Sequence, residues 1–172
     1  VDLGTSEGRK DLAEFFGKQS GKQLVCVSGS SSGDNHRHQF GNTASAVKAR
    51  GDTRTVHIVN AATIRELSKS WNVPILNPTR FRPNIVLDGG LAPWEEFSWV
   101  GRQIQCGTTK LSVIKQTIRC EGVSVDPLDP ETVLDVPKLL TKHFPEYGPY
   151  LGVYAVVEDG GAMAIGDPVG LC

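Results

Sequence analysis

The sequence lacks most of the features that name a chemistry at once. It has four cysteines, at positions 26, 106, 120 and 172, too few and too scattered for a disulfide framework. No two of them form a Cys-x-x-Cys pair, so a structural zinc site is not expected. They read as reduced thiols of a cytoplasmic protein. No apolar run approaches the roughly 20 residues that span a bilayer, and nothing at the start reads as a signal peptide. The chain opens on Val1 rather than methionine, as a processed product or an excised fragment would. There is no Gly-x-Ser-x-Gly elbow, no Gly-x-Gly-x-x-Gly, no Gly-rich phosphate loop ending in Lys-Ser/Thr and no His-Glu-x-x-His. No lysine sits in a pyridoxal-binding setting, and no flavin, haem or iron–sulfur motif is present. The net charge is −1, so no global field draws the chain to nucleic acid or to an acidic membrane.

What is present suits one ordinary domain with a real core: 172 residues, 39% hydrophobic and 22% charged. The charge is unevenly spread. Between Phe97 and Cys120 lie Arg102, Lys110, Lys115 and Arg119 and no acid, whereas acids dominate from Glu121 onward.

Local patterns predict short strands with two or three helices between them. RKDLAEFFG (9–17) reads as an amphipathic helix with Leu12, Phe15 and Phe16 on one face and Gly17 as its stop. Leu24–Val27 reads as a strand, followed by a Ser/Gly/Asn-rich loop whose His36-x-His38 pair has no third ligand nearby in sequence. TVHIV (55–59) reads as a strand, and Asn60 caps a helix bearing Ile64, Leu67 and Trp71, closed by Pro74 and Pro78. NIVLD (84–88) is a further strand. RQIQC and KLSVIKQT flank Gly107 as a hairpin would. Asp135 caps a helix that turns Leu139, Leu140 and Phe144 inward. GVYAVVE and AMAIGDPVGL read as a closing pair of strands around Gly160-Gly161. The sum is a β-rich α+β domain, a barrel or strongly bent sheet.

Two features carry chemistry. If residues 80–88 are extended, Arg80, Arg82 and Asn84 project to one side, and Phe81, Pro83, Ile85 and Leu87 to the other. Two guanidiniums at that spacing repel unless an anion or carboxylates sit between them, and such a pair suits forked hydrogen bonds to phosphate. Pro83 cannot donate to a ladder, which sets this segment at an edge or beside an opening. The second feature is Cys120, between Arg119 and Glu121 where a strand meets a turn. On strict alternation Cys120 shares a face with Ile118 and Arg119 points away, unless the Glu121-Gly122 turn changes this. A reactive thiolate needs nearby positive charge or a metal, and the same thiolate is a soft-metal ligand; an inert half-buried cysteine is the alternative. Cys26 and Cys172 read as inert, and Cys106 fits either description. His57 and His143 lie among apolar residues and read as packing or surface histidines. Trp94 and Trp99 read as a core anchor and its rim.

Taken together, VHIVNAATIREL, RFRPNIVLDG, WEEFSW, IRCEGVSVDP and LGVYAVVEDGGAMAIGDPV resemble the MOSC domain, the module at the C-terminus of molybdenum cofactor sulfurase. The resemblance runs from about Thr55 to Leu171 and is closest to the branch containing the mitochondrial amidoxime-reducing component and related bacterial proteins. It implies a MOSC-type β-barrel with two or three peripheral helices over residues 51–172. Residues 1–50 would then be a helix, strand and flexible loop, the remnant or end of an N-terminal β domain. It implies a molybdenum cofactor (molybdopterin-bound molybdenum), with Cys120 as metal ligand and catalytic residue. Arg82 and Asn84 would hold the phosphate, helped by Arg80, with Arg119 and Tyr154 also at the cofactor. Thr117 stands where many relatives carry a further cysteine. The implied activity is reduction of N-hydroxylated or related N-oxygenated small molecules, with electrons from separate partner proteins. The alternative is a sulfur carrier, with Cys120 loaded as a persulfide by a pyridoxal-phosphate-dependent donor, and a third reading is a binding module with a vestigial site. No nucleic-acid or membrane partner is expected.

Overall fold

The TVHIVN stretch sets the frame of the larger unit. Its β-branched residues form β1 (Thr55–Asn60), with Ile58 and Val59 fully buried. Asn60 ends the strand and caps the helix α2 (Ala61–Trp71) by accepting from the Ala62 N–H at 2.9 Å. Asn72, in the left-handed region, closes α2 before Pro74 is reached. The chain returns as β2 (Ile85–Leu87), parallel to β1. Gln103–Cys106 (β3) and Thr109–Ile118 (β4) make the expected hairpin through Gly107, which has φ 57°. Asp135 caps α3 (Val136–His143), which buries Val136 and Leu140. Tyr150–Asp159 (β5) then runs antiparallel to both β1 and β4.

The computed structural model describes residues 1–26 and 55–172, and the chain divides into two compact units, Val1–Thr43 and Ala44–Cys172. In the first, a helix α1 (Ser6–Ser20) runs from a Thr5 cap to Gly21 in the left-handed region. It is longer than expected: Gly17 lies inside it, and Phe15 and Phe16 are exposed. Residues 24–26 are not in a strand. The His36-x-His38 pair and its loop lie outside the described residues.

Among the described residues the larger unit holds one six-stranded sheet, in the order β2-β1-β5-β4-β3-β6, where β6 is Val169–Leu171. With α2 and α3 beside it, this is the expected β-rich α+β fold. The sheet curls into a half-barrel, with β2 and β6 as its edges among the described residues. Register shifts between Val113/Lys115 and Gln116/Ile118 bend β4 against β5. The closing pair of strands is corrected. β6 pairs with β3 rather than β5, carried there by the 160–168 segment. Two apolar clusters fill the unit. Ile64, Leu67, Phe81, Trp94, Leu140 and Leu151 pack around the helices, and Ile58, Trp99, Ile104, Leu111 and Val153 pack within the curl. Both tryptophans are therefore core. Among the described residues no helix is long and apolar enough to cross a membrane.

One carboxylate lies inside this core. Glu96 accepts from Asn60 Nδ2 at 3.0 Å and from Thr63 Oγ1 at 3.5 Å. Asn60 Nδ2 also donates to the Ala92 carbonyl at 2.8 Å, so the loop before Trp94 is tied to the start of α2. Burial pushes the Glu96 carboxyl above the ordinary range.

Candidate functional site

The RFRPN segment does not run extended. Asn77 caps a short 3-10 turn over Pro78–Phe81, with Pro78 at its start, and Arg82 follows in the left-handed region at φ 52°. A non-glycine residue there is uncommon and is held only by its surroundings. The turn throws Arg80 and Arg82 apart. Arg80 is buried: Nη1 donates to the Ser124 carbonyl at 2.7 Å and the Val123 carbonyl at 3.3 Å, and Nη2 pairs with Asp126 Oδ2 at 2.9 Å. The expected common face of Arg80, Arg82 and Asn84 is thus corrected, and Arg80 takes the carboxylate partner that was one of its two options. The Asp126 carboxyl is held below the usual range by the Leu128 N–H and then by Arg80. Arg80 so anchors the loop that begins at Cys120.

Arg82 and Asn84 remain exposed. Asn84 prolongs the β1–β2 ladder by one step: its N–H donates to the His57 carbonyl at 2.8 Å, and its Oδ1 accepts from the His57 N–H at 2.9 Å. β4 ends at Ile118, and the Arg119 N–H donates to the Pro149 carbonyl at 2.8 Å. The strand alternation therefore stops short of Cys120. Cys120 opens a 3-10 turn over Glu121–Val123, and its thiol is exposed. Gly122 leaves room beside the sulfur; an added Cβ would stand 3.5 Å from Sγ. Thr117 is buried, and its Oγ1 has no partner among the described residues. Cys106 is buried too, and burial raises its pKa, which leaves it inert.

Arg119 is the hinge of the arrangement. Its side chain turns back over Phe81, 5.7 Å from the ring centre, and Nη2 donates to the Phe81 carbonyl at 2.9 Å. Nη1 meets His57 Nε2 at 3.3 Å, while Nε is buried without a partner among the described residues. Burial lowers the Arg119 pKa, and Tyr154, Cys120 and Arg82 all lie close enough to act on its charge. Tyr154 is half-buried on β5, directly opposite His57, with ring centres 5.3 Å apart. The fold therefore brings together Arg82, Asn84, Arg119, Tyr154 and Cys120, and leaves out Arg80.

From the sequence alone, His57 is expected to be a packing or surface residue. It is indeed buried, with 5% exposure, but it is also hydrogen-bonded at both ring nitrogens. Nδ1 faces the Arg82 carbonyl at 3.3 Å. A carbonyl accepts only, and a guanidinium donates only, so these partners assign the proton to Nδ1 and the lone pair to Nε2. The sequence signal was a lone polar residue inside an apolar strand. Burial first, and Arg119 second, lower the pKa of His57 to about 4. The neutral ring thus contributes stability that is present above the ordinary value of about 6.5 and lost as pH falls toward about 4. That contribution is on the order of 3 kcal/mol. Glu96, with its raised pKa, works in the opposite sense as acid is added. Urea unfolding of wild type and His57→Gln at pH 7 and pH 4.5 separates them: the wild type should lose more stability on acidification than the variant.

The site therefore offers one accessible thiol next to the partly desolvated Arg119, with the Arg82 guanidinium close enough to act on the charge of Arg119. Among the described residues no three His, Cys, Asp or Glu side chains cluster to hold a metal ion. Such a set suits an anionic group and a soft metal that brings its other ligands with it.

Comparison with known proteins bears on this set. A family model described as the MOSC domain matches residues 35–170. The human protein named mitochondrial amidoxime-reducing component 1 is 30% identical over 131 residues, covering 70% of this chain and 38% of that protein. The rat mitochondrial amidoxime reducing component 2 is 27% identical over 128 residues, covering 69% and 37%. The chain thus spans less than two-fifths of the length of these curated relatives. Among solved structures, YiiM from Geobacillus stearothermophilus matches with a TM-score of 0.51 at 20% identity, covering 68% of this chain and 53% of that one. At that identity the likeness concerns the fold.

Proposed function

This chain belongs to the MOSC domain family, and from that premise we propose that its Cys120 site holds the molybdenum cofactor and reduces N-hydroxylated or related N-oxygenated small molecules. The observation that carries the reading is the exposed Cys120 thiol following directly on Arg119, whose buried Nε lacks a partner among the described residues. The donor set fits the group. Cys120 would give one thiolate ligand to the metal. The Arg82 and Arg119 guanidiniums would meet the phosphate end, as forked donors do, and Tyr154 would flank it. When bound, the cofactor would supply a two-electron redox centre. The chain's own residues bind and orient it. The reaction is supported by the names of the relatives, both amidoxime-reducing components. Electrons would come from separate donor proteins.

Arg82→Gln tests the phosphate half. Purified from a host that makes the cofactor, the variant should keep its melting temperature and retain cofactor at least about tenfold less well. A folded Arg82→Gln protein with full cofactor would remove Arg82 from the site. The exposure of Cys120 also favours a second reading, a persulfide carrier loaded by a pyridoxal-phosphate-dependent donor. A mass gain of one sulfur on Cys120 in cofactor-free protein would favour it over the reductase.

A further inference from the structure

We infer that His57 is the positioning residue of this site: set in a niche over Gly152, it holds Arg119 and the Arg82 turn in the arrangement that receives the anionic end of the ligand. The inference rests on the anion-binding reading above and extends it to His57 and Gly152, to which the resemblance assigned no role.

His57 touches every residue expected at the anion. Its backbone N–H and carbonyl hold Asn84, its Nδ1–H holds the Arg82 carbonyl, its Nε2 accepts from Arg119, and its ring packs on Tyr154. The Arg82 contact matters because Arg82 sits at φ 52°, a conformation a non-glycine residue keeps only when neighbours hold it. Its own N–H is fixed by the Thr79 carbonyl at 3.0 Å, and His57 fixes its carbonyl. The Arg119 contact matters because Arg119 has only two protein acceptors among those described, His57 Nε2 and the Phe81 carbonyl. Those two fix the plane of the guanidinium, whose buried Nε has no partner among the described residues. Without His57 the guanidinium keeps one acceptor and can rotate away.

Gly152 shows that the fold makes room for this ring. It lies on β5 at φ 76°. A Cβ there would stand 2.7 Å from His57 Nε2, 2.5 Å from the Ile58 carbonyl oxygen and 3.0 Å from Val59 Cγ2. Any side chain at 152 would press on the very nitrogen that accepts from Arg119. Both sides of the His57–Arg119 contact are therefore set by sequence: the histidine supplies the acceptor and the glycine supplies the space.

Asparagine and glutamine at position 57 separate the two ring nitrogens. An asparagine amide reaches about as far as Nδ1 and can hold the Arg82 carbonyl, but not Arg119. A glutamine amide reaches about as far as Nε2 and can accept from Arg119. The readout is inorganic phosphate binding to the full chain, followed by the arginine side-chain N–H signals in NMR spectra, with melting temperature as the fold control. His57→Asn should bind phosphate about tenfold more weakly than wild type, and His57→Gln within about threefold of it. Gly152→Ala should resemble His57→Asn; should it fail to fold, the asparagine–glutamine pair decides. A purely structural histidine would shift both melting temperatures and leave the affinities together. Folded His57→Asn protein that binds phosphate as wild type does, or His57→Gln that loses as much as His57→Asn, would overturn the inference while the anion site stands. A wild type that binds no phosphate would overturn the anion site and the inference with it.

Discussion

Cys120→Ala is expected to lower reduction of an N-hydroxylated substrate by at least about 100-fold while leaving the fold unchanged. The two halves of that expectation have separate causes. The thiol is exposed, opens a 3-10 turn without making a side-chain cap, and lies over Gly122. Surface substitutions of this kind shift stability by no more than about 0.5 kcal/mol. Loss of function would follow because alanine offers the metal no thiolate. Assay of the loaded protein, alongside a thermal melt, checks both halves. A variant that reduces substrate at the wild-type rate would remove Cys120 from the chemistry.

Arg80→Met should act in the opposite way, by unfolding the protein more readily. The Arg80 side chain has no exposure and ends among the Val123 and Ser124 carbonyls and Asp126. Methionine fills much of the same volume but donates nothing. Two buried carbonyls would lose their donor, at a cost of roughly 3 kcal/mol, or a fall in melting temperature of roughly 10 °C. Cofactor retention should then fall only in step with the loosened 120–126 loop. Differential scanning calorimetry reads the first effect, and metal content at low temperature reads the second. An Arg80→Met protein with an unchanged melting temperature and no cofactor would return Arg80 to the phosphate site, where the extended reading of RFRPN had put it.

That segment shows where sequence reasoning stops. Elements whose limits are written locally were legible: the Asn60 cap and the Ile64, Leu67, Trp71 stripe of α2, the Gly107 hairpin, and Asp135 at the head of α3. Alternation failed at 80–84 because Asn77-Pro78 starts a 3-10 turn there, and that local cue outweighs the strand pattern downstream. The partner of Arg80, Asp126, lies 46 residues on, and nothing local announces it. The placement of β6 beside β3 is of the same kind: pairing across the sheet is decided by the whole core, not by the strand's own residues. In the candidate site, Arg82, Asn84, Arg119, Cys120 and Tyr154 were all named from motifs, and the fold gathers them. His57 was not, because a histidine among apolar residues reads as packing until both ring partners are seen. The same holds for Gly152, whose need for an absent side chain appears only when His57 stands over it.

The central claim is that Cys120, with Arg82 and Arg119 beside it, holds the molybdenum cofactor. The direct measurement is molybdenum and pterin content per chain, for wild type and Cys120→Ala, each purified in full from a host that makes the cofactor. Stoichiometric molybdenum and pterin in the wild type, with the metal lost from a folded Cys120→Ala protein, is the predicted result. Equal metal in both proteins, or none in a folded wild type, would contradict it.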